Sequence, residues 1–107
     1  MAEGSKRDEG KQEYYAMPLV ILKPLADVFH AGAQKYEAFN CLNRFADPDR
    51  RFWNAAMRHM EACQLDPLAI DQEIKEEYGL EVYHSAQVAF AMLLRVRNAG
   101  LFEEERG

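Results

Sequence analysis

The sequence predicts an all-α protein, a small helical bundle of three long helices plus a short one. Three observations predict it. Apolar residues recur three and four apart in three separate segments. Prolines and glycines fall where those helices would begin or end. No segment beyond a short apolar lead-in alternates as a strand does.

The elements follow in chain order. Residues 1–13, "MAEGSKRDEGKQE", are polar and charged and read as a mobile tail. A single domain is expected over residues 14–100. It opens with "YYAMPLVILKP", an extended lead-in in which Pro18 and Pro24 oppose helix. Leu25, Val28, Phe29, Gly32 and Tyr36 then space a helix over residues 24–37, with Pro24 in its first turn. A loop covers residues 40–46. In "DPDRRFWNAAMRHMEACQ", Asp47 is the expected N-cap, Pro48 the first helical residue and Asp49 a favourable charge at the positive end. Phe52, Trp53, Ala56, Met57 and Met60 form the apolar stripe of that helix. "LDPLAIDQEIKEEYG" holds the short helix. The third long helix is expected over residues 80–98, set off by Gly79 and ended by Gly100. Residues 101–107 read as a frayed tail.

Composition bounds the function. A chain of 107 residues with 49% hydrophobic content suits one domain with a real core. A net charge of −5 argues against a nucleic-acid polymer as partner, and leaves room for a small basic pocket for phosphates. Cys41 and Cys63 lie in no zinc-binding spacing, so a reduced, cytoplasmic protein is expected. The longest apolar run, residues 88–94, is too short to span a membrane, so no membrane partner is expected.

Several polar residues do not fit a purely solvated surface. Glu81 and His84 stand three apart at the start of an otherwise oily helix. Their side of it turns apolar at Val88 and Met92, so this side packs too, against a second chain. With Ala91 also off the main core face, a homodimer or higher oligomer is expected. Glu81 and His84 then suit paired metal ligands at a semi-buried helix start, the alternative being a plain exposed pair. His59 lies near the apolar stripe of its helix, as a core histidine or a functional one. Asp71, Glu73, Glu76 and Glu77 are a solvated acidic face or an oxygen site for Mg²⁺. Lys11 and Lys35 are possible phosphate contacts, although "DEGK" lacks the glycine spacing of a P-loop.

These pieces together resemble a known pattern. "KRDEGK" supplies Lys6, Asp8, Gly10 and Lys11. "GAQKYEAFNC" supplies Gly32, Ala33, Lys35, Tyr36 and Asn40. Ala55, Arg58 and His59 follow, then Asp71 and Glu73, then "EVYHSAQV". The chain thus resembles the phage and bacterial dATP/dGTP diphosphohydrolase N-terminal-type family, related to the MazG-like all-α nucleotide pyrophosphohydrolases. It departs at Cys41, where the family has tryptophan, at Glu81, where it has histidine, and at Val88, where it has asparagine.

The resemblance implies a metal-dependent nucleoside triphosphate pyrophosphohydrolase that releases a monophosphate and pyrophosphate. A purine deoxynucleotide is the implied substrate. His59, Glu81 and His84 are the implied catalytic residues. Lys11, Lys35, Tyr36, Asn40 and Arg58 would bind substrate. Asp71, Glu73, Glu81 and His84 would bind Mg²⁺, or Mn²⁺. The chemistry suits these residue types: a divalent cation neutralises phosphate oxygens and activates water, and cationic side chains take the remaining charge. Two other readings stay open. One is a catalytically inactive nucleotide-binding module, and the other is a helical dimerisation module.

Overall fold

The structure is a computed structural model that describes residues 9–106, with side chains described through residue 100. It is helical, as expected. A 3₁₀ turn, Leu19–Leu22, leads directly into α1, Lys23–Lys35. A second 3₁₀ turn spans Asn40–Leu42. Then come α2, Pro48–Cys63, α3, Gln72–Tyr78, and α4, His84–Arg106. Among the described residues no helix is long and apolar enough to cross a membrane.

The lead-in differs from the extended segment that its prolines suggest. Pro18 is extended, but the residues after it wind into the 3₁₀ turn. Pro24 does not interrupt this path. It falls in the first turn of α1, where a backbone N–H has no helical partner to lose. Val28 and Ala31 bury the inner face of α1, and Phe29 meets Phe90 of α4 edge to face at 4.9 Å.

Asp47 stands at the N-cap of α2 but does not cap it with its side chain. Its backbone is left-handed, with φ of 46°, which a short polar residue tolerates. Its carbonyl accepts from the Arg51 amide at 3.0 Å. Phe52 and Ala56 are buried, as the stripe predicts, whereas Trp53 and Met60 remain largely exposed.

The bundle is organised around α4. Asp49, near the start of α2, pairs with Arg95 at 2.8 Å, and His59, near the end of α2, meets His84 at the start of α4. The two helices therefore run antiparallel. This register sets Val88 and Met92, both half-buried, opposite the middle of α2. The second apolar side of α4 is thus covered by α2 of the same chain. The other side meets α1 and the segment before α4. There Val28, Ala31, Ile74, Val82 and Ala86 form one buried cluster, with Tyr78, Leu80, Tyr83 and Phe90 packed against it.

The largest departure from expectation lies before α4. The helix starts at His84, not at residue 80, and it continues through Gly100 to Arg106. Gly79 ends α3 in a left-handed conformation, φ 69°, that glycine adopts without a Cβ penalty. The chain then runs extended. Tyr83 bridges to Ile70 in antiparallel fashion. The Asp71 amide donates to the Val82 carbonyl at 2.8 Å, and the His84 amide donates to the Ala69 carbonyl at 3.0 Å. Gly100 does not stop α4. A glycine inside a helix costs about 1 kcal/mol relative to alanine, and the remaining helical hydrogen bonds can carry that.

Ala56 has no exposed surface, so there is no space beside it for a larger side chain. Ala56→Leu should destabilise the fold by about 1–3 kcal/mol through overpacking. Val96→Ala, on the exposed side of α4, should stay within about 0.5 kcal/mol of wild type. Urea unfolding of the two variants measures both. Equal midpoints would show that α2 does not pack closely on α4.

Candidate metal and nucleotide site

Three polar side chains converge where the helix ends meet. His59 comes from the last turns of α2, Asp71 from the N-cap of α3, and His84 from the first position of α4. Each reaches there for a local reason. Asp71 caps α3, its Oδ1 accepting from the Ile74 amide at 3.3 Å. The short backbone bridge then sets the start of α4 beside that cap. The antiparallel register brings His59 over the same point. The two histidine Nδ1 atoms lie 3.0 Å apart. One potential ligand atom from each of the three residues lies within 4.8 Å of the others. Two imidazoles and a carboxylate are a donor set that fits a divalent metal ion.

Gln87 completes the cluster. Its Nε2 donates to Asp71 Oδ2 at 2.9 Å, while its Oε1 is buried without a partner. The amide fixes the carboxylate that would hold a cation, as outer hydrogen bonds do around metal sites. Nothing in the spacing of the sequence singles this residue out. It stands three residues after His84, on the same side of α4, but that spacing alone does not point to Asp71.

Burial pushes the His59 pKa below its ordinary value of 6.5. The neighbouring His84 acts in the same direction, Asp71 opposes it, and Arg58 adds to the lowering. Burial would by itself raise the Asp71 pKa. Hydrogen bonds from Gln87 and the Ile74 amide, with the two imidazoles, hold it below its ordinary value instead.

A cleft of about 640 Å³ opens beside this cluster, with His59 and Asp71 in its wall. Lys35, Tyr36, Asn40, Arg58 and Glu73 also line it. The structure therefore gathers most of the residues expected to bind substrate, although they come from α1, the following loop, α2 and α3. It adds Arg51, Phe39 and Phe45, which the sequence reading passed over. Phe39 is 77% exposed and left-handed, with φ of 66°, a backbone state that is uncommon for a bulky residue.

Two expected residues lie elsewhere, and a third stands apart from the group of three. Lys11 is exposed and does not line the cleft, and Lys6 and Asp8 of the same motif lie outside the described residues. Glu73 lies on the cleft wall but outside the group of three. Glu81 faces away: its carboxylate accepts from Lys75 at 2.6 Å in an exposed pair, and that hydrogen bond holds its pKa below the ordinary value. The reason is the backbone. Glu81 and His84 share a face only if both are helical, and residue 81 lies before the helix, next to the bridged segment. In a strand-like segment side chains alternate, so Val82 turns into the core and Glu81 turns out.

With this geometry in place, comparison with known proteins gives the class. The family model described as "dATP/dGTP diphosphohydrolase, N-terminal" matches residues 1–105. The chain belongs to that family. No curated protein and no solved structure matches it.

The lowered His59 pKa gives a signed pH prediction. Between its folded pKa and 6.5, the folded chain holds less proton on His59 than the unfolded chain does. That contribution to stability is fully present above about pH 6.5 and is lost as pH falls through the window. The Asp71 contribution has the same sign but is lost only at lower pH, as its depressed carboxyl protonates. In chelator, the urea midpoint should therefore fall between about pH 7.5 and about pH 5.5, and His59→Gln should flatten that fall. An identical slope in the variant would contradict this assignment.

Proposed function

We propose that the chain hydrolyses a purine deoxynucleoside triphosphate to its monophosphate and pyrophosphate, with a divalent cation held by His59, Asp71 and His84. One observation carries this reading. The His–Asp–His cluster lies beside a cleft whose wall takes in its His59 and Asp71 and also presents Lys35 and Arg58. Family membership supports a nucleotide as substrate.

The bound cation would supply charge neutralisation at phosphate oxygens and a more acidic water. The chain's own residues do the rest. Lys35, Arg51 and Arg58 offer positive charge to the polyphosphate, and Arg can bind two phosphate oxygens at once. Tyr36, Phe39 and Phe45 offer aromatic faces against which a base can stack. Asn40 supplies an amide that can both donate and accept. In the reaction a water oxygen bonds to the α-phosphorus, and the bond from that phosphorus to the α,β-bridging oxygen breaks. Pyrophosphate leaves with that oxygen. Glu73, which with Glu37 is a carboxylate on the cleft wall outside the cluster, would accept the proton that water loses. Gln87 keeps Asp71 oriented throughout. Glu81, paired with Lys75 on the outside, takes no part.

The test is product analysis on dATP, dGTP and the pyrimidine counterparts, with Mg²⁺ and with Mn²⁺. Asp71→Asn should lower pyrophosphate release by at least about a hundredfold with the fold retained. Glu81→Gln should stay within about twofold of wild type, because an exposed ion pair contributes little. The opposite ranking would overturn the site. Nucleotide-induced thermal stabilisation without turnover would favour the inactive binding module instead.

A further inference from the structure

We infer that the His59–Asp71–His84 cluster is built for a first-row transition ion that accepts imidazole, such as Mn²⁺, in preference to Mg²⁺. This deepens the proposed function and rests on its reading that the cluster holds a divalent cation.

The donor set is the first ground. Mg²⁺ demands oxygen ligands and gives up its waters reluctantly. Here two of the three donors are imidazole nitrogens. Imidazole suits the first-row transition ions, and two histidines with one carboxylate leave positions open for further ligands.

The second ground is the spacing. The two Nδ1 atoms already stand 3.0 Å apart, close enough for both to reach one ion. Without an ion, the same spacing is a hydrogen bond in which one Nδ1 donates to the other. Binding requires both rings to carry their proton on Nε2, so the ion replaces that hydrogen bond.

The third ground is orientation. Asp71 Oδ1 accepts from the Ile74 amide and Oδ2 from Gln87. Each oxygen keeps a further lone pair for a cation. The carboxylate is therefore held before the ion arrives, which is the arrangement that outer hydrogen bonds give to metal ligands.

Calorimetric titration of the full metal-free chain, with no nucleotide present, tests this. Mn²⁺ should bind at least about tenfold more tightly than Mg²⁺. His59→Ala and His84→Ala should each weaken Mn²⁺ by at least about tenfold, and Glu81→Gln should not. Equal or tighter Mg²⁺ binding, or Mn²⁺ binding indifferent to both histidines, would overturn the inference. If an alanine variant fails to fold by circular dichroism, the wild type decides alone. Histidine nitrogen resonances on adding Zn²⁺ should show His59 and His84 both converted to the Nε2-protonated form, and unchanged resonances would overturn the inference. Because the titration omits nucleotide, Mn²⁺ binding as described, with no pyrophosphate release in the separate product analysis, would sink the hydrolase reading and leave the metal site standing.

Discussion

Two backbone hydrogen bonds carry the rest of the structure. Asp71 donates to Val82, and His84 donates to Ala69. This exchange ties the entry to α3 against the entry to α4. It buries Val82 completely in the core, and it sets the cap of one helix beside the first residue of the other. The site is assembled at the same point. Without the bridge, Asp71 would still cap α3, but nothing would place His84 next to it.

The cluster has a physical cost. Two imidazoles at 3.0 Å cannot both be charged without repulsion, and burial opposes protonating His59 at all. Asp71 offsets part of this, and is itself kept ionised by Gln87 and a backbone amide. Gln87 also leaves a buried carbonyl oxygen unpaired, which costs desolvation energy that packing must offset. Such concentrations of poorly compensated polarity are common where a protein binds or reacts, and uncommon where it merely folds.

The cleft divides the labour among elements of different rigidity. The cluster sits on helix ends locked by backbone hydrogen bonds and by the antiparallel α2–α4 pair. The residues offered to phosphate and base come from the end of α1, the irregular segment after it and the exposed side of α2. A rigid polar cluster beside more accessible residues on irregular segments is a common division in binding sites, since binding residues gather on loops that a packed scaffold positions.

The helical class was legible from the sequence, because the spacing of Leu25, Val28 and Phe29, and of Phe52 and Ala56, is a local property of the chain. So were Pro48 at a helix start and Gly79 at a helix end, which reflect the conformational limits of single residues. The family pattern also pointed to His59, Asp71, Lys35 and Arg58, which the fold brings to one cleft, and to His84, which it sets against His59 and Asp71. Only the tertiary structure decided the start of α4. "GLEVYHS" reads as helix by spacing, but pairing with residues 69–71 holds its first residues extended, and that pairing joins segments that are distant in the chain. The same fact turned Glu81 outward to Lys75 and left His84 in the site. Gln87 was likewise invisible beforehand, for its role exists only once Asp71 stands opposite it. Periodicity decides which residues share a face of a helix; whether those residues are in a helix at all was decided by a contact made elsewhere.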